Sequence, residues 1–301
     1  MPIDLAKVLK EKRPNLGPNS IKTYTSVLKS LHRKVFGMET PIHLDNFLQT
    51  ESILEALAEK TPVSRKTTLS ALVVLTNNDK YRQKMLDDIK AHMEVINTQQ
   101  KTPKQQENSI SQEEIGVLLK KFKKKADILM KKPSHSNKDF QIIQDYLMLL
   151  LMSGHGGLPP RRSLDYTAFR IRNIDENSDN YMKNKHFVFN IFKTAKSAGQ
   201  QQIEVPLKTR NLVKKWIAIN PTNYLFFDSH TNPMTSVKMT QKLNKIFGGK
   251  QISVNALRSS YLSSKFQDSI QLKKDIESTM KQMGSSGKVA TTYIKEEPTS
   301  P

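Results

Sequence analysis

The sequence predicts an α+β protein in two parts: an all-helical N-terminal domain over residues 1–97, and a mainly helical C-terminal domain over residues 109–297 that carries a small antiparallel sheet. Three observations lead there. Apolar residues recur every three or four positions through the first hundred residues. The stretch Thr98–Asn108 (TQQKTPKQQEN) is almost without apolar residues and reads as a linker. Beyond Ile171 the apolar period drops to two in a pair of short runs, so a sheet follows the helices.

Taken in order, Asn19 and Ser20 are N-cap candidates for a helix through Ile21, Tyr24, Val27, Leu28, Leu31 and Val35, stopped by Gly37. His43–Glu59 is a second helical region, ended by Thr61-Pro62, and Ser64 is the expected cap of a third through Leu75. Tyr81–Asn97 is the fourth. A capping box, Ser111-Gln112-Glu113-Glu114, opens the next helix, and an apolar one runs from Asp139 to Met152 until Gly154–Gly157 breaks it. Arg161–Phe169 is a short helix. His186–Phe192 and Gln202–Leu207 are strands about a turn at Lys196–Gly199, and Tyr224–Asp228 is a short strand or buried turn. Ser236–Phe247, Val254–Phe266 and Gln271–Met283 return to helix, with Asn255 at a position suited to capping. Residues 298–301 are a tail.

Charge narrows the function. The 301 residues hold 48 Lys+Arg against 28 Asp+Glu, a formal net charge of +20, which points to a polyanionic partner. Two helix starts carry basic, hydroxyl-rich runs suited to DNA phosphates, with Lys22 and Thr23 in one and Arg65 and Lys66 in the other. The absence of cysteine excludes disulfide scaffolds, thiolate metal sites and cysteine nucleophiles. The most apolar stretch, Tyr146–Met152, is too short for a bilayer span, and the N-terminus has no signal-peptide core. An intracellular protein found with DNA, without a membrane, is expected. Neither HExxH, GxxxxGK[ST] nor GxGxxG occurs, so no metal and no cofactor is expected.

An ordered set of short motifs remains: Arg162-x-x-Asp165 after Pro159-Pro160-Arg161; Lys193 and Lys196 in the hairpin; Asn255-Ala256-Leu257-Arg258; Gly284-Ser285; and Tyr293. In order and spacing this set resembles the tyrosine recombinase (phage integrase) family, over about residues 18–296, and its Pro-Pro-Arg-Arg-x-Leu-Asp-Tyr form is similar to members carried by large DNA viruses. The resemblance implies a core-binding domain and a catalytic domain closing as a clamp on double-stranded DNA, with a homotetramer on two synapsed sites. It makes Arg162, with Arg161 as the fallback, and Arg258 the clamps on the scissile phosphate, where charge builds in the transition state. It makes Lys193, with Lys196 as the fallback, the general acid for the leaving 5′-oxygen, and Tyr293 the nucleophile that forms a 3′-phosphotyrosyl bond.

The pattern departs from the family at two places. Asn255 stands where a histidine is usual, and an amide hydrogen-bonds phosphate but accepts no proton. Gly284 stands at the distance of the usual histidine or tryptophan, with Ser285 as partial substitute. The expected function is therefore a site-specific recombinase or integrase, and the alternative is a recombinase-derived protein that binds DNA without cutting it.

Overall fold

A computed structural model describes residues 3–98 and 100–294, apart from the side chains of Lys104, Lys288 and Thr291. The end of the expected catalytic domain, residues 295–297, and the expected tail, residues 298–301, lie outside the described residues. The chain divides into two compact units, Met1–Thr102 and Pro103–Pro301.

The first unit is helical. Its elements are α1 (Leu5–Lys12), α2 (Pro18–Phe36), a 3-10 turn at Leu44–Leu48, α3 (Thr50–Ala58), α4 (Pro62–Thr76) and α5 (Asp79–Asn97). Its core is made of Leu5, Leu9, Leu28, Leu31, Phe47, Ile53, Leu57, Leu69, Leu72, Leu75 and Tyr81. The Tyr81 hydroxyl donates to the Phe47 carbonyl at 2.8 Å, and burial pushes its phenol up to about 12.

Two helix starts differ from expectation. α2 begins at Pro18 after Gly17, not at Asn19 or Ser20, and α4 begins at Pro62 with Thr61, not Ser64, as its N-cap. In both, proline takes the first helical position, where no backbone N–H is needed, and so moves the start ahead of the serines. The hydroxyl-rich runs therefore lie inside the helices: Thr23 Oγ1 donates to the Asn19 carbonyl at 2.8 Å.

In the second unit a short proline-led helix, α6 (Pro103–Glu107), occupies part of the expected linker. It is followed by α7 (Gln112–Leu129) and α8 (Asn137–Ser153), each opened by a capping box, Ser111 with Glu114 and Ser136 with Asp139. Nearly every residue of α8 from Ile143 to Ser153 is buried, because α7 and later helices surround it. Then come α9 (Ser163–Thr167), β1 (Tyr181–Lys183), β2 (His186–Phe189), α10 (Ala195–Ala198), β3 (Gln201–Glu204), α11 (Leu207–Ile219), α12 (Ser236–Ile246), α13 (Val254–Lys265), α14 (Gln267–Gln282), a 3-10 turn at Gly287–Val289 and α15 (Ala290–Tyr293).

The sheet is antiparallel in the order β1-β2-β3, with Tyr181 opposite Val188 and Phe187 opposite Ile203. Phe187 and Phe189 point to the core, which also holds Trp216 stacked on Phe227. The protein is thus a mainly helical α+β fold with one small antiparallel sheet, as the sequence predicts.

The regions of β1, β2 and α11 differ from the reading of the sequence. β1 and α11 are additional elements; α11 starts at Leu207 directly after Pro206, where the sequence reads as the end of a strand. β2 ends at Phe189 instead of Phe192, because the N–H groups of Asn190 and Ile191 both donate to the Asn180 side chain at 2.7 Å and leave the ladder. The stretch Tyr224–Asp228, expected as a short strand or buried turn, is buried from Leu225 to Asp228, with Tyr224 and Phe227 in isolated bridges to Arg170 and Pro233.

Candidate functional site

The site grows from the end of α8. Gly154 closes that helix at φ 93°, and the ring of Tyr261 lies so close that a Cβ on Gly154 would sit 2.2 Å from its Cδ2. A glycine is needed there both for the left-handed turn and for the approach of α13. Ser253, not Asn255, caps α13, its hydroxyl accepting from the Ala256 N–H at 3.3 Å, while Val254 and Leu257 enter the core. Asn255 is exposed, the second residue of the helix. Its Oδ1 accepts from Arg258 Nη1 at 3.4 Å.

Arg258 Nε donates to the carbonyl of Pro160 at 3.2 Å, which brings the second arginine box onto the first. Around that contact stand Arg161, Arg162 and Asp165. Arg162 is the N-cap residue of α9 and is exposed. Asp165 is buried; burial pushes its carboxyl above the ordinary range, opposed first by Arg161 and then by Arg162 and Arg258.

Arg161 has a different situation. Its Nε donates to Asp165 Oδ2 at 2.6 Å and its Nη1 to Gln201 Oε1 at 2.9 Å. Its guanidinium carbon lies 4.0 Å from the ring centre of Phe189 and 5.3 Å from that of Phe192. That guanidinium is engaged on both edges and one face. Among the described residues, neither Arg162 nor Arg258 has an acidic ion-pair partner. Two guanidiniums beside the Pro160 carbonyl and the buried Asp165 are suited to a phosphodiester, whose non-bridging oxygens accept bidentate donation.

Lys193 and Lys196 lie on the connection between β2 and β3, Lys193 in a turn and Lys196 in α10. Both are exposed and make no ion pair among the described residues. Phe192, next to Lys193, is the second ring beside the Arg161 guanidinium, so the loop returns to the arginine corner at that point.

The C-terminal candidates are not joined to this corner. Gly284, at φ 71°, follows α14, with its N–H donating to the Lys281 carbonyl at 3.0 Å and that of Ser285 to the Met280 carbonyl at 2.8 Å. This pair of bonds is a Schellman turn, so the position where a histidine or tryptophan would stand is occupied by a helix-stopping glycine. Tyr293 ends the four-residue α15 with 63% of its surface exposed. Among the described residues it makes no hydrogen bond or ring contact to Arg162, Arg258, Lys193 or Ser285.

In the first unit the basic candidates separate. Arg65 is engaged internally: Nε and Nη2 bind the buried Asp88 at 2.6 and 2.7 Å, and Nη1 donates to the carbonyls of Lys60 at 2.7 Å and Ala58 at 3.3 Å. That commitment removes Arg65 from the residues free to meet phosphate. Lys22 and Lys66 are exposed and make no ion pair among the described residues.

Sequence reasoning missed two residues of this region, Asn180 and Gln201. Asn180 is fully buried and gives Nδ2 to the carbonyls of Asp165 and Ile191 at 2.8 and 2.7 Å. No motif announces either; both lie in polar stretches that read as loop or strand edge. No helix among the described residues is long and apolar enough to cross a membrane.

Neither a protein-family model nor a curated protein matches the chain. Among solved structures, the crystal structure of XerA recombinase is similar at 12% identity and a TM-score of 0.34, over 98% of this chain and 94% of that one. A likeness of that size decides nothing about fold or function.

Proposed function

We propose that the chain is a DNA-strand transesterase of the tyrosine recombinase type, acting on double-stranded DNA through a phosphotyrosyl bond at Tyr293. What carries this reading is the convergence around Asp165 of Arg162 and Arg258, neither of which makes an ion pair among the described residues, with Arg258 tied to the Pro160 carbonyl. Arg161 and Arg65 are committed to carboxylates inside the fold, whereas Arg162 and Arg258 make no ion pair among the described residues and keep donors available to an anion. The formal charge of +20 agrees with a polyanionic substrate.

In this mechanism Arg162 and Arg258 hold the non-bridging oxygens and stabilise the charge of the pentacoordinate transition state. Asn255 steadies Arg258. Tyr293 gives up its phenolic proton to solvent water and its oxygen attacks phosphorus as the P–O5′ bond breaks, while Lys193, or Lys196 in its place, delivers a proton to the departing 5′-oxygen. Ser285 offers a hydroxyl to phosphate. In the first unit Lys22, Lys66 and Thr23 contribute backbone contacts. A homotetramer on two synapsed sites belongs to the same reading.

A second reading, a DNA-binding protein that does not cut, is favoured by specific observations: Gly284 in a Schellman turn, Asn255 without a proton-accepting side chain, and Tyr293 exposed on a four-residue helix. Incubation with nicked duplexes, in which a cut strand loses its short end, separates the two. Cleavage predicts a protein–DNA adduct on a denaturing gel, lost in Arg162→Gln and Arg258→Gln while both variants keep the wild-type melting temperature. Tight duplex binding with no adduct selects the second reading.

A further inference from the structure

We propose that Arg161 and Asn180 are positioning residues that fix the lysine-bearing loop, residues 190–200, to the arginine corner, with Asp165 as their shared anchor. The anchoring rests on geometry alone; its consequence for chemistry rests on the strand-cleavage reading.

Lys193 and Lys196 are both exposed, and neither side chain is held by an ion pair among the described residues. Their placement therefore depends on how the loop is tied at its ends. At its start, Asn180 Oδ1 accepts from the N–H groups of Asn190 and Ile191 at 2.7 Å each, and Asn180 Nδ2 donates to the Ile191 carbonyl at 2.7 Å and to the Asp165 carbonyl at 2.8 Å. A little further on, Phe192 lies beside the Arg161 guanidinium. Just beyond the loop, Gln201 accepts from Arg161, which is itself bound to the Asp165 carboxylate.

Both ends of the loop thus return to one residue. Asn180 uses the main-chain carbonyl of Asp165, and Arg161 uses its side chain. Arg162 lies between Arg161 and Asp165 in the chain, so the same anchor sets the phosphate clamp and the proton donor in one frame. A general acid must come within about 3 Å of the oxygen it protonates, and a displacement of about 1 Å costs on the order of 100-fold in rate. Asp165 Oδ1 is buried without a hydrogen-bond partner, so the anchor depends on its other oxygen and on Arg161.

Gln201→Leu removes one bond of the bracket and leaves the Arg161–Asp165 pair in place; Asn180→Ala removes the other arm. Hydrogen exchange on the protein without DNA is the first readout. Faster exchange of the amides of residues 190–200 in Gln201→Leu, with α8 unchanged, is expected; unchanged loop exchange overturns the anchoring. Should Asn180→Ala not fold, Gln201→Leu alone decides.

The second readout compares cleavage of a normal duplex with one whose bridging 5′-oxygen is sulfur, a leaving group that needs no proton. Gln201→Leu is expected to slow the oxygen duplex about 10- to 100-fold and the sulfur duplex hardly at all. An equal loss on both duplexes overturns the positioning role. If the wild-type protein forms no adduct on either duplex, the cleavage reading fails, and hydrogen exchange still decides the anchoring.

Discussion

Arg65 and Lys66 are sequence neighbours with separate tasks. Arg65 binds the buried Asp88 and satisfies two carbonyls, so Arg65→Ala leaves Asp88 with only Lys84 at 3.8 Å and is expected to lower unfolding stability by about 3 kcal/mol in urea titration. Lys66→Ala or Lys22→Ala is expected to change stability by less than about 0.5 kcal/mol. Each of these two substitutions should reduce the slope of log K against log salt for duplex binding by about one; an unchanged slope removes that lysine from the DNA surface. The pair Arg161-Arg162 shows the limit of the sequence at this scale. The two side chains are chemically identical there, and only the contacts of the fold, with Asp165, Gln201, Phe189 and Phe192, show which one is engaged. Asp88 likewise gives no local sign that it claims Arg65.

Helices with side-chain N-caps and clear periodicity, such as α7, α8 and α12, were legible in the sequence because local chemistry and packing agree in them. α11 was not read at all, since Val205-Pro206-Leu207 continues the alternation of β3 and the proline that ends the strand also serves as the N-cap of the helix. The early end of β2 was hidden for a different reason: its cause is a side chain, Asn180, that lies across the fold. Two glycines separate stability from site geometry at this scale. Gly284→Ala puts a side chain at φ 71° in open space and is expected to cost about 1–2 kcal/mol, with duplex binding unchanged. Gly154→Ala meets the same backbone penalty and the Tyr261 ring, so it is expected to destabilise further and, by displacing the helix that carries Arg258, to reduce adduct formation. Equal losses in both variants would detach α13 from the chemistry.

For the whole molecule the excess of positive charge was the most legible property, and it points to a polyanionic partner without naming a reaction. It also makes acid stability depend on the few carboxylates that are well held. Asp228 is buried; Lys238, then the N–H groups of His230 and Asn232, hold its carboxyl at about 2. Its folded value lies below the unfolded value of about 3.9, so its contribution is complete above that value and is lost as the pH falls toward about 2. Asp228→Asn is therefore expected to lower stability at neutral pH and to flatten the fall in stability between about pH 4 and pH 2; an unchanged slope would show that Asp228 titrates alike in both states. Asp165 acts in the opposite sense: its carboxyl is raised by burial, so its contribution is present at low pH and is lost as the pH rises through its folded value. The reaction itself rests on one covalent bond. The most direct measurement is to trap the protein on a nicked duplex without added metal, digest the adduct and identify the nucleotide-bearing peptide by mass spectrometry. The account predicts a phosphodiester linkage to Tyr293 and no adduct from Tyr293→Phe; a linkage to any other residue, or an adduct that survives Tyr293→Phe, would contradict it.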